Sequence, residues 1–203
     1  MGLVEILGLA ASVSLLAGWR LYLCVLVTGL AMRTGWIELP SHLAALGALA
    51  SPWVLGIALV GTVAEFFADK IAWLDSVWDG VHTLVRPIGG ALLALALVDS
   101  GDPVWQAAIF LLGGGGALLS HGAKASARAV VNASPEPVSN VVVSTLEDVA
   151  AGGLLALAFA HPLAAIAAAL LLLALAIFLL VKARRAIRAL LRLRSRLFGR
   201  EPT

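Results

Sequence analysis

The chain has 203 residues, of which 61% are hydrophobic and only 13% charged, with a mean hydropathy of +1.00. A water-soluble domain carries about a quarter charged residues, so this composition excludes one and predicts an all-α, polytopic helical membrane bundle. The formal net charge of +2 hides an asymmetry: eight of the fourteen basic residues lie in 182–203, leaving six to face eleven acids in residues 1–181.

The opening Met1-Gly2-Leu3-Val4-Glu5 has no basic stretch and is followed by no small-residue cleavage site, so a cleaved signal peptide is not expected. The first apolar run, Leu3 to Met32, is long enough to be tilted or broken near Gly18. Arg20 interrupts it. A charge so placed can hardly snorkel to either surface. A partner carboxylate or a bound anion is expected, with ion pairing inside the bundle the plainest reading. Cys24 is the only cysteine, so no internal disulfide can form, and it reads as a small buried hydrophobe.

Five further spans follow: Pro52 to Asp69, Leu74 to Val98, Pro103 to about His121, Val138 to Ala160 and Leu163 to Val181. Turn signals separate them, among them Ser51-Pro52, Asp99-Ser100-Gly101-Asp102-Pro103, Ser134-Pro135-Glu136-Pro137 and His161-Pro162. About 20 residues cross the hydrocarbon. Residues 1–181 thus form one transmembrane domain of about six spans, and 182–203 a basic amphipathic tail. Such a tail after an apolar span reads as cytoplasmic and suits anionic lipid headgroups. Nucleic acid is not an expected partner. Six crossings then place both termini in the cytoplasm. Trp36, Trp53 and Trp105 fall near the outer boundaries and fit an aromatic belt.

Residues 52–98 and 103–160 read as an internal repeat of two helical hairpins. Gly89-Gly90-Ala91-Leu92-Leu93-Ala94-Leu95-Ala96-Leu97 parallels Ala151-Gly152-Gly153-Leu154-Leu155-Ala156-Leu157-Ala158-Phe159. Membrane proteins built from repeats commonly bind substrate at the repeat interface.

The chemistry lies in polar stripes. Asp75, Asp79, His82 and Arg86 recur at i, i+4, i+7 and i+11, and His121, Lys124, Arg128 and Asn132 at i, i+3, i+7 and i+11, so each set shares one helix face. Glu65 and Asp69 precede the first stripe, one turn apart. Asn140, Ser144 and Glu147 share a face of the fifth span with Asp148 beside them, and Glu136 stands between two prolines. Charge at membrane depth is costly and faces a protein interior or a watery cavity. For the acidic stripe the alternatives are structural ion pairs, ion handling, or a divalent cation held by Asp75, Asp79 and His82. For the basic stripe they are an anion site or a solvated helix end touching headgroups. Gly113-Gly114-Gly115-Gly116 lacks the residues of a phosphate loop, and close helix packing is favoured over a gate.

Taken together, Glu65-x3-Asp69-Lys70-x4-Asp75-x3-Asp79-x2-His82-x3-Arg86-Pro87 and His121-x2-Lys124-x3-Arg128-x3-Asn132-x-Ser134-Pro135-Glu136-Pro137-x2-Asn140-x3-Ser144-x2-Glu147-Asp148 resemble a bacterial membrane family labelled domain of unknown function 4126. The resemblance covers most of the chain before the tail. It implies an all-helical inner-membrane protein and carries no activity. The four-glycine run and the arginine tail depart from what is associated with the family.

The expected function is a small transporter or channel, its stripes lining a pocket for an ion or a small anionic or zwitterionic solute. Alternatives are a membrane-embedded, metal-dependent enzyme acting on a lipid phosphate and a structural membrane subunit, each compatible with a homo-oligomer. Against the enzyme, neither an Asp-Gly-x2-Ala-Arg pattern nor an Asp-Asp-x2-Asp run is present.

Overall fold

A computed structural model describes residues 2–37, 41–98, 100–132, 137–171, 173–175, 177–178, 181–182 and 185. Five helices are α1 (Leu3–Arg33), α2 (Pro52–Ala68), α3 (Ala72–Leu97), α4 (Pro103–Asn132) and α5 (Pro137–Ala160), with a 3₁₀ segment at Ser41–Ala50 between α1 and α2. A sixth, α6 (Pro162–Leu175), follows. No strand occurs among the described residues. By total length and composition alone α1, α3, α4 and α5 suffice to cross a membrane, while α2 and α6 are shorter. Of the basic tail, only residues 182 and 185 lie within the described part.

The helix starts follow local chemistry. Ser51 Oγ accepts from Val54 N at 3.3 Å, with Pro52 in the first turn of α2, where its missing N–H costs nothing. The Asp102 carboxylate does the same for Val104 N at 2.8 Å ahead of α4. Pro87 lies inside α3 and has no N–H to offer the Thr83 carbonyl.

α1 is broken. Arg20 leaves helical geometry, with φ −139° and ψ 72°. The half before it packs between α3 and α4. Ser14 Oγ donates to the Gly90 carbonyl and Arg86 reaches the Gly18 carbonyl, so α3 runs antiparallel to this half. Ser120 reaches the Leu15 carbonyl and Lys124 the Trp19 carbonyl, so α4 runs parallel to it. The second half packs on α2, with Gly61 against the Tyr22 ring and Gly29 against Leu55. It also packs on α5, whose Phe159 stacks on Trp36, ring centroids 5.5 Å apart. Directly after α5, Pro162 and Leu163 lie against Gly8. The start of α1 and Trp36 beyond its end therefore share one end of the molecule, and α1 is folded back on itself with Arg20 at the tip. Its halves, residues 3–19 and 21–33, are about 25 and 20 Å long at 1.5 Å per residue, each short of the ~30 Å hydrocarbon core. The single first span expected from the sequence is thus two half-helices, and the break falls at Arg20 rather than Gly18.

α3 packs chiefly on α4, whereas α2 leans mainly on α1.

The packing is inside-out. Large apolar side chains such as Trp53, Ile57, Val60, Leu84, Leu111, Leu146 and Leu171 are exposed, while Arg86 and Arg128 are among the largest fully buried ones. Where water is the solvent the hydrophobic effect gives the opposite arrangement. An apolar solvent around the bundle removes the reason to hide leucine and adds one to hide charge.

Of the four consecutive glycines, Gly113 and Gly114 face α3. A Cβ on Gly113 would lie 2.6 Å from Ala94 Cβ and 2.9 Å from the Gly90 carbonyl oxygen, and one on Gly114 would lie 3.1 Å from the Pro87 carbonyl oxygen. Gly115 faces open space. Close approach of α3 and α4 accounts for the first two.

Candidate functional site

The tip of α1 lies inside a buried charged network. Arg20 places Nη1 2.5 Å from Asp69 Oδ2 and Nη2 2.6 Å from Asp148 Oδ1. Asp69, where α2 ends, also meets Lys124 Nζ at 2.7 Å. Lys124 lies 4.0 Å from Asp79 and donates to the Trp19 carbonyl at 3.4 Å.

A second group centres on Arg86. Nη2 binds Glu65 Oε1 at 2.6 Å, while Nη1 binds Asp79 Oδ1 at 2.8 Å and His121 Nδ1 at 2.6 Å. A guanidinium only donates, so His121 Nδ1 is the acceptor and the ring is neutral. Its Nε2 carries the proton and faces the Asp79 carbonyl at 3.2 Å and Thr83 Oγ1 at 3.1 Å.

A third group surrounds Asp75. Its Oδ2 accepts from Arg128 Nε at 3.1 Å and Asn132 Nδ2 at 2.6 Å. Arg128 also donates to the Asn140 and Asp69 carbonyls, and Asn140 Nδ2 donates to the Asp69 carbonyl at 3.2 Å. At the rim, Lys70 Nζ reaches Asp148 Oδ2 at 2.9 Å and Ser144 Oγ at 3.4 Å, and lies 3.6 Å above the Phe66 ring.

Spacing explains the convergence. Glu65 and Asp69 end α2 one turn apart, and Lys124 and Arg128 lie one turn apart near the end of α4. The two pairs have the same periodicity and opposite sign. From Asp75 to Arg86 the network occupies about 16 Å of α3 at 1.5 Å per residue. The broken helix takes part: the carbonyls of Leu15, Gly18 and Trp19, before the break, accept from Ser120, Arg86 and Lys124. The last two, whose i+4 bonds would span the break at Arg20, have no intrahelical partner and carry the partial negative charge of the half-helix end.

His82 stands apart from the charges. Its Nδ1 lies 2.7 Å from the Trp78 carbonyl, so that nitrogen donates, and Nε2 accepts from the Tyr22 hydroxyl at 3.0 Å. The ring stacks on Trp78 at 4.4 Å. Asp75, Asp79 and His82 thus face three different sets of partners. Among the described residues no group of three or more His, Cys, Asp or Glu is placed to hold a metal ion. Burial of Lys124 and Arg128 rules out the solvated helix end allowed for the basic stripe. Glu136 lies outside the described residues. Lys70, Tyr22, Thr83 and Ser120 belong to the assembly but not to the stripes read from the sequence. Adjacency to Asp69 was the available signal for Lys70, whereas the other three fit no charged periodicity. A cavity of about 570 Å³ lies elsewhere, lined by apolar residues of α1, α3, α4 and α6 such as Leu7, Ala11, Ile109 and Ile166.

An all-helical bundle with an apolar exterior and buried ion pairs defines the class: an integral membrane protein with a charged interior. Within that class the chain belongs to the family described as Domain of unknown function (DUF4126), whose model matches residues 7–182. Neither the curated proteins nor the solved structures give a match.

Proposed function

We propose that this protein is a small transporter or channel for an ion or small charged solute, its site the network around the tip of α1. The break of α1 at Arg20, at the level of the buried charges, carries this reading. Discontinuous helices persist at membrane depth where their freed backbone lines a site, and half-helix ends commonly receive the transported ion or substrate. By the positive-inside rule the basic tail is cytoplasmic. α6 runs from beside Gly8 toward the α4 face around Ser126, so the network then occupies the cytoplasmic half of the bundle. The start of α1 lies at the opposite end, on the outer side, rather than beside the tail. In a bacterium the host bilayer would be the inner membrane, with anionic headgroups at the tail.

The structural-subunit reading has one observation in its favour: each of Arg20, Lys70, Arg86, Lys124 and Arg128 is already held by a carboxylate. The same observation weakens the lipid-phosphate enzyme, because no clamp stands ready for a phosphate. Purified protein in proteoliposomes tests the choice. Uptake or efflux of protons, alkali cations or small anions is expected, falling at least tenfold in Asp69→Asn. Folded protein that moves none of them overturns transport in favour of architecture.

A further inference from the structure

Charge does not balance inside the network. The cations are Arg20, Lys70, Arg86, Lys124 and Arg128, and the carboxylates are Glu65, Asp69, Asp75, Asp79, Glu147 and Asp148. Each carboxylate except Glu147 lies within ion-pair distance of a cation. Among the described residues Glu147 makes no ion pair, and its Oε2 is buried with no hydrogen-bond partner. It is nonetheless within the field of Arg20 on α1, Asp69 at the end of α2, and Lys124 and Arg128 on α4. Asp148, its neighbour on α5, turns to Arg20 and Lys70.

We infer that Glu147 is a proton-binding site, occupied in this arrangement, and that its proton completes the neutrality of the network. A carboxylate with one oxygen enclosed and unbonded, and with no cation at ion-pair distance, is expensive, and taking up a proton is the ordinary way to remove the cost. Each of the five other carboxylates has a cation at ion-pair distance. When Glu147 loses its proton, the network holds one more negative than positive charge. Lys124, Arg128 or Arg20 is then drawn toward it, away from Asp69 or Asp75. Because Arg20 sits at the tip of α1 and Lys124 holds the Trp19 carbonyl, that exchange reaches the broken helix directly. The inference rests on the reading of the network as an ion path and names the ion that its extra carboxylate binds.

Infrared spectroscopy of the full-length protein in lipid bilayers tests it without requiring flux. At neutral pH the spectrum is expected to show the stretch of one protonated carboxyl per chain, lost in Glu147→Gln and shifted in Glu147→Asp. A band that survives in Glu147→Gln, or no band in the folded native protein, overturns the assignment. The band is also followed as sodium is added. Loss at trace sodium, well below any cellular level, overturns the proton as occupant. Loss only at high sodium supports it. Flux in liposomes separates the two proposals. The band with no flux sinks transport alone, and flux with no band sinks only the proton site.

Discussion

Arg86 on α3 and Glu65 on α2 meet at 2.6 Å, with 0% and 1% of their side-chain surface exposed. The same guanidinium holds Asp79 and His121, so one side chain ties α3 to α2 and α4. Removing it strands two buried carboxylates. Arg86→Met is expected to destabilise the protein by about 3–5 kcal/mol, the usual cost of breaking a buried pair. Arg86→Lys is expected to recover only part, because a point charge cannot reach Glu65 and His121 together. Adding Glu65→Gln to Arg86→Met should regain stability. Unfolding midpoints in detergent read all four proteins, and an Arg86→Met variant as stable as the parent would contradict the assigned role.

Two lysines with similar pair distances should behave differently. Lys124 lies 2.7 Å from Asp69 with 2% of its side chain exposed, and Lys70 lies 2.9 Å from Asp148 with 19% exposed. Lys124→Ala is expected to cost about 3–5 kcal/mol. At the partly wetted rim, solvent screening holds the Lys70 pair to about 0–1 kcal/mol. Equal losses in the two variants would show that depth does not set the strength of these pairs.

Glycine substitutions test the helix contacts. A Cβ at Gly18 would lie 2.5 Å from Ser120 Oγ and 2.8 Å from the His121 backbone nitrogen, and one at Gly90 would lie 2.5 Å from Ala117 Cβ. Gly18→Ala and Gly90→Ala are each expected to lower stability by about 1–3 kcal/mol through overpacking. Gly115→Ala meets nothing within 4 Å and should be neutral or stabilising by up to about 1 kcal/mol from helix propensity. Thermal unfolding of the three variants decides, and a destabilised Gly115→Ala would place an unrecognised contact on that face.

Because Arg86 donates to Nδ1 of His121, nitrogen-15 spectra of labelled protein in bilayers should show this ring as the neutral tautomer with its proton on Nε2 at neutral pH. Arg86→Met frees Nδ1, and the tautomer preference should weaken. A doubly protonated His121 in the native protein would mean that the pairing with Arg86 is wrong.

Much of the site could be read from periodicity. Asp75, Asp79 and Arg86 share a face because they recur at helical spacing, and a bilayer forbids that face to lipid. The same reason gave Arg20 a partner carboxylate or a bound anion, and it meets Asp69 and Asp148. His82 was misgrouped: it lies on the stripe, but two aromatic side chains, Tyr22 and Trp78, claim its ring. Tyr22 and Ser120 were missed because single polar residues in an apolar run carry no pattern.

Composition and helical spacing determined by themselves that this is an all-helical bundle in an apolar solvent and which side chains must hide from it, since both follow from local transfer costs summed along each helix. Only the tertiary structure decided which cation meets which carboxylate. It also decided that α1 breaks and folds back at Arg20, and that among the described residues Glu147 is left without an ion pair. Those outcomes depend on how separate helices are set in depth and rotation against one another, which long-range packing fixes and spacing along one helix does not encode.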